Sequence, residues 1–374
     1  MNSLLQLLTQ YGNILQTQLF PVLREGIGEL DECHRQFVRI LTVLHLDRFT
    51  ESRSGPGRPP ASRANIARAF VAKAMFGIPK TTGLLERLVS DAVLRSLCGW
   101  QHAKDVPPEY TFSRAFQEFS RSQLPQRVHA ALIEQAYEDR LVGHISRDAT
   151  AIEAREKAQP KQAAPAKQPS RKKNRKPEEM SRIERQSLPG TTLPQMLQEL
   201  PRVCDKGCKT NSKGSKDWWV GYKLHMDVAD GEVPISCILT SASVHDSQVA
   251  IPLARMTADR VTSLYDLMDR GYESAHIDAY SRRLGHVPII DHQTRTGSAQ
   301  ATMAPHERIR FRERTTVERA YSRLKDEFGG RFVRVRGHAK VMAHLMFGVI
   351  VLTVDQLLKV SQGDMAAPRP PAPA

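Results

Sequence analysis

Apolar residues recur every three or four positions through the first third of the chain. LLQLLTQYGNILQ and CHRQFVRILTVLHL, within residues 1–50, carry that spacing, and so do ANIARAFVAKAMFGI, TTGLLERLVSDAVLRSLCGW and TFSRAFQEFSRSQLPQRVHAALIEQAYE further on. Such spacing gives each segment one apolar face as a helix. SRSGPGRPPAS interrupts the pattern with Gly and Pro, so residues 51–62 read as a linker between a helical segment at 1–50 and a helical domain at 63–140. Thr81 or Thr111 can cap a helix in the second block.

From Leu141 the period shortens. LVGHISRDATAIEA, DWWVGYKLHMDVA, VPISCILTSAS, SLYDLMDRG and HVPIID are short runs bounded by Gly, Pro, Asp or Ser, as strands are. RFRERTTVERAYSRLKDEF and the apolar stretch around LMFGVIVLTV then read as two closing helices. The expected fold class is α/β: a mixed sheet with flanking helices at 141–360, after an all-α N-terminal domain. Residues from about 155 to 216 begin with AREKAQPKQAAPAKQPSRKKNRKPEEM, which has almost no large apolar residue and reads as a flexible basic insertion. The Pro/Ala-rich end, 361–374, reads as a disordered tail.

Charge narrows the class of partner. The 374 residues carry 54 Lys and Arg against 40 Asp and Glu, a formal +14, which suits a polyanion. A nucleic acid fits better than an anionic membrane, because LMFGVIVLTV has about half the ~20 apolar residues that span a bilayer. No basic flank precedes the first apolar residues, so a cytoplasmic, nucleoid-associated protein is expected. Five scattered cysteines fit reduced thiols better than a disulfide framework. From Arg155 to Asp217 there are sixteen Lys and Arg against seven Asp and Glu, so +9 of the +14 lies there. The run Arg171, Lys172, Lys173, Arg175, Lys176 can neutralise phosphates without reading bases, or can simply be a solvated linker.

Three carboxylates stand out. Asp148 interrupts the alternating ISRDATAIE on the side of Ser146 and Thr150, although an edge-strand carboxylate facing water has the same pattern. Asp269 ends a strand just before Arg270 and Gly271, at the kind of sheet edge where α/β sites gather. Asp266, three residues earlier, points to the opposite face if both lie on the strand, so only one of the two belongs to a site. Glu318 shares a helix face with Arg314 and Lys325, at offsets of four and seven, which also describes a surface salt bridge worth about 0.3–0.5 kcal/mol. Three separated carboxylates suit a pair of Mg²⁺ or Mn²⁺ ions, which need hard oxygen ligands and open positions for phosphate and water.

Phe311, Arg314, Glu318 and Lys325 have the spacing F-x2-R-x3-E-x6-K. It resembles the Tyr-x2-Arg-x3-Glu-x6-Lys signature of bacterial insertion-sequence transposases with an Asp-Asp-Glu catalytic domain. Phe311 stands in place of the Tyr, losing a hydroxyl and keeping a ring. GYKLHMDVADGEVPISCILTSASVHDSQVAIPL, LYDLMDRGYES and the stretch from Arg323 to Leu358 are similar to other parts of those transposases, and DAVLRSLCGW with VPPEYTFSRAFQEF resembles their helical DNA-binding region. The likeness covers most of residues 60–360.

The resemblance implies a ribonuclease-H-like core with the first Asp on the first strand and the second just after the fourth. It implies that Asp148, Asp269 and Glu318 are the catalytic, metal-binding triad and that Arg314 and Lys325 contact DNA. Gly271 and Tyr272 match the turn after the second Asp, with Arg270 bulkier than the usual residue there; His245 and Asp246, in SVHDS, match a supporting segment. The implied activity is metal-dependent cleavage at element ends and strand transfer into target DNA, with two Mg²⁺ or Mn²⁺ ions, double-stranded DNA as partner and a homodimer or larger assembly on it. A nuclease on the same core and a non-catalytic DNA-binding derivative are the alternatives.

The remaining candidates carry less. Asp227 and Asp230, in MDVADGE, suit a hairpin turn. Cys204 and Cys208 with His225 suggest zinc, yet no second paired motif follows at finger-like spacing. Of Trp218 and Trp219, one is expected in the core and the other on a base or the sheet edge.

Overall fold

In Leu141–Glu153 (β1), Ile145 and Ile152 are buried, and so, unusually, is Arg147. This strand is the centre of a computed structural model that describes residues 14, 18–50, 60–138, 140–159, 180–210, 214–291 and 303–361. The first thirteen residues, the Gly/Pro stretch at 51–59, the basic run 171–176 and the tail from 362 lie outside the described residues.

Five further strands join β1: Asp205–Thr210 (β2), Lys216–Ala229 (β3), Val233–Ser241 (β4), Thr262–Met268 (β5) and Val287–Ile290 (β6). The sheet runs β2-β3-β1-β5-β6, with β4 also paired to β3. β3 lies antiparallel to β1, β2 and β4, whereas β5 runs parallel to β1 and β6 parallel to β5. A mixed sheet with flanking helices and a helical N-terminal region is the ribonuclease-H-like architecture expected.

Helices cover both faces. On one side Ser247–Ala258 (α10) and Ala275–Arg283 (α11) bury Ala250, Ile251 and Ile277 with Met268 and Tyr272. On the other, Thr315–Asp326 (α13) buries Val317, Ala320 and Leu324 in the main core, and the long His338–Ser361 (α14) buries sixteen residues. α14 is long and apolar enough to cross a membrane, but 89% of its apolar window is buried inside the protein.

The N-terminal helices are Phe20–Ile27 (α1), Glu32–Leu44 (α2), Arg63–Met75 (α3), Thr81–Ser90 (α4), Ala92–Cys98 (α5), Glu109–Arg121 (α6) and Leu124–Tyr137 (α7). Their apolar faces enter the same core as the sheet: the Phe70 and Phe116 rings lie 5.6 and 6.3 Å from that of Phe347 on α14. Neither threonine caps. Thr81 opens α4 behind Lys80, and Thr111 lies inside α6, which starts earlier because Pro108 takes the cap position with its fixed φ.

Two expectations need correction. The segment 155–216 is not flexible throughout: Arg182–Ser187 (α8), Leu193–Gln198 (α9) and β2 are folded within it. Ser181 and Glu184 form a capping box, Met196 is buried against Ala250 and Ile251, and β2 completes a sheet edge. Because β2 adds a strand, Asp269 follows the fifth strand in chain order and not the fourth. The helix read across Phe311 and Glu318 is also interrupted. Pro305–Phe311 (α12) ends in a 3₁₀ turn at Arg312–Arg314 before α13 begins.

Candidate active site

Residues of β1 alternate between two chemistries. Ser146, Asp148 and Thr150 face the region of α13: the Ser146 hydroxyl donates to the Glu313 carbonyl (3.0 Å), and Thr150 accepts from Lys325 Nζ (2.7 Å). Between them Tyr321, buried in α13, donates its hydroxyl to the carbonyls of Asp148 (2.7 Å) and Leu224 (3.0 Å). This hydroxyl locks α13 across β1 and β3 at the level of Asp148.

Asp269 reaches the same level from the neighbouring strand. Arg147 on β1 pairs with Met268, the last residue of β5, so Asp148 and Asp269 follow directly on two parallel strands. Asp269 is held by its own turn, accepting from the Gly271 N–H at 2.9 Å. Burial pushes the Asp148 carboxyl up to about 6, and the charge of Asp269 adds to the rise while Arg314 and Lys209 oppose it.

Glu318 belongs to the same surface through Arg314. One guanidinium nitrogen of Arg314 is 4.0 Å from Asp148 Oδ2 and the other donates to Glu318 Oε1. The Phe311 ring lies 5.8 Å from that guanidinium, so the ring retained in the signature packs under its Arg. Burial lowers the Lys325 pKa, and Arg331 and Lys209 lower it further. Lys209, carried in by β2, is a cation near the site that its place in a supposed flexible segment concealed.

Asp266 takes the other face, as the strand geometry requires. It is buried, accepting from Ser281 (2.8 Å) and lying 3.2 Å from His286. Arg147 points the same way and pairs with both oxygens of Asp227 at 2.8 Å, with Asp266 4.0 Å away. Burial opposes the Arg147 charge, but the two aspartates more than offset it and hold it protonated. Asp227 is therefore a core ion-pair residue on β3 and not a turn residue, and Asp230 alone serves the hairpin, accepting from the His144 N–H at 2.9 Å.

Tyr272, just past Asp269, is fully buried, and burial with the charges of Asp246 and Asp148 raises its pKa well above the ordinary range. Its hydroxyl has no hydrogen-bond partner among the described residues. Asp246 accepts from Lys223 Nζ at 3.0 Å, while His245 turns to the Ser247 hydroxyl at 2.8 Å. Arg171, Lys172, Lys173, Arg175 and Lys176 fall outside the described residues.

The zinc reading finds no support: Cys204 is buried, Cys208 exposed, and His225 faces Thr240 at 2.9 Å. Trp219 covers Gly207 and donates to the Tyr222 carbonyl (3.0 Å), and Trp218 is 67% exposed on the same strand.

Residues 144–354, more than half of the chain, match the Transposase DDE domain. The chain belongs to this family. Residues 30–118 of the transposase also match the Transposase domain (DUF772), which spans the break between α2 and α3. No curated protein and no solved structure matches the chain. The chain is thus a DNA transposase of the kind its signature resembles, and the matched region contains Asp148, Asp269 and Glu318 together with Arg314 and Lys325.

Proposed function

We propose that Asp148, Asp269 and Glu318 are the catalytic carboxylates of this transposase and act in cleavage at element ends and in strand transfer. The carrying observation is that Asp148, midway along β1, and Asp269, just past the end of β5, stand at one level on neighbouring parallel strands while Arg314 joins Asp148 to Glu318.

The donor set suits Mg²⁺ or Mn²⁺: all three side chains are hard oxygen donors, and a cation would offset both the burial that chiefly raises Asp148 and the lesser repulsion from Asp269. Among the described residues no three such groups already converge closely enough to hold an ion together, and the Glu318 carboxylate is engaged by Arg314. A pair of divalent ions there would supply an activated oxygen nucleophile and neutralise the leaving oxygen. Asp148 and Asp269 would bind from the strand side, and Glu318 from the helix side on exchanging Arg314 for metal. Arg314 and Lys325 would then face phosphates, and the apolar floor of α13 would keep the strand and helix ligands in register.

Strand transfer joins two element ends to one target, so at least two copies are expected on DNA. The test uses Asp148→Asn, Asp269→Asn and Glu318→Gln with DNA bearing the element ends and Mg²⁺. Each variant should lose both cleavage and joining while keeping its unfolding free energy within about 1 kcal/mol of the parent. Activity retained in one of them removes that residue from the set, and cleavage without joined products in the parent would make it a nuclease.

A further inference from the structure

A cavity of about 500 Å³ lies between the α3–α4 corner, α6, the segment after α13 and the start of α14, and none of Asp148, Asp269 and Glu318 lines it. Six cationic side chains do: Lys73, Lys80, Arg155, Arg334, Arg336 and Lys340, against one carboxylate, Glu109. Lys73 is 92% buried, being 8% exposed, and its ammonium makes no ion pair or hydrogen bond among the described residues. Burial alone lowers its pKa to about 8, with no neighbouring carboxylate to hold the proton.

The α4 N-terminus opens on the same space. Thr81 and Thr82 line it, and the cap residue Lys80 makes no side-chain hydrogen bond to the first N–H groups of this ten-residue helix. Free N–H groups at a helix start, with the positive end of its dipole, favour an anion. A deeply set lysine that lines the cavity without a carboxylate partner is stabilised when an anion enters beside it.

We propose that this cavity is a phosphate site, in which backbone phosphates of the bound DNA pair with Lys73 at the floor and with Arg334 and Lys340 nearer the rim. A strand fits better than a free ion because the cations are graded in depth, Lys73 buried, Lys340 half-buried and Arg334 exposed, so that more than one phosphate finds a partner. Arg155 also begins the segment that carries the +9 excess. The inference rests on the transposase reading for its DNA, but not on the three carboxylates.

The test measures duplex binding by the full chain in EDTA as salt is raised, so that a failure of metal chemistry cannot affect the result. Lys73→Met should lower the log-log salt slope by about 0.9, and Arg334→Gln with Lys340→Gln by up to about 1.8. Unchanged slopes in both overturn the proposal. Thermal shift with inorganic phosphate, against chloride at equal ionic strength, separates the sources. Protection of the parent but not of Lys73→Met, with unchanged DNA slopes, means a free phosphate ligand and overturns the assignment to DNA. If Lys73→Met does not fold, the rim double variant decides alone.

Discussion

Lys325 and Thr150 meet at 2.7 Å, ammonium to hydroxyl, two residues along β1 from Asp148. The contact fixes the last turn of α13 on the strand whose middle bears the first carboxylate. Thr150→Val leaves that part-buried ammonium without its acceptor and should cost about 1 kcal/mol by urea unfolding. Lys325→Met should cost no more than that, yet weaken duplex binding in EDTA; unchanged binding would confine Lys325 to a structural role.

Arg314 touches both ends of the proposed set. Its partner Glu318 is half exposed, so the pair contributes at most about 1 kcal/mol to stability. Arg314→Gln should therefore leave the unfolding midpoint nearly unmoved while cleavage falls about 10–100-fold. A large stability loss with normal turnover per folded molecule would contradict this.

Arg147 and Asp227 form an ion pair with almost no exposure of either side chain. Removing one partner strands a buried charge, so Arg147→Met alone should lose about 3–5 kcal/mol. Arg147→Met combined with Asp227→Leu should recover part of that loss. A double variant no better than the single one would show that Asp266 and His286 do not tolerate the exchange.

Buried histidines set the acid limit. Burial lowers His129 to about 3 and His344 to about 4, so both are neutral in the fold. The unfolded chain takes up these protons first, as pH falls below about 6.5. Stability is thus complete above that pH and is lost below it, by about 1.4 kcal/mol per pH unit for each histidine until its folded value is reached. His129→Gln and His344→Gln should each narrow the gap between urea midpoints measured at about pH 7 and about pH 5.

Gly221 lies where β3 passes from β2 to β1. A Cβ there would be 2.1 Å from the Ile152 carbonyl oxygen, a backbone atom that cannot swing aside. Gly221→Ala should destabilise by about 1–3 kcal/mol or more, whereas Gly26→Ala, with open space around it and an ordinary backbone conformation, should not. Thermal unfolding of the two variants checks the contrast.

Period and punctuation made much of this legible. The two-residue alternation of β1 put Asp148 with Ser146 and Thr150, and the end of β5 at Met268 separated Asp266 from Asp269. Arg147 was invisible because a charge within a strand reads as solvent-facing until its partner, eighty residues later, is known. Asp227 was drawn into the neighbouring Asp230–Gly231 turn, which starts three residues beyond it. The Ser181–Glu184 capping box was present in the sequence, but a Lys- and Pro-rich stretch beside it concealed a helix of only six residues.

Helix α14 has a consequence for how such a protein can be reassembled. It packs on α2, α3, α6 and α7, and also on β4 and α13, while Asp355 accepts from Gln36 at 3.0 Å and from Arg323 at 2.8 Å. The helical half and the sheet half therefore share their main core through this helix. Grafting a different N-terminal region onto this sheet would require recutting the inner face of α14 to match, so a new DNA specificity is reached more readily by changing exposed side chains than by swapping modules.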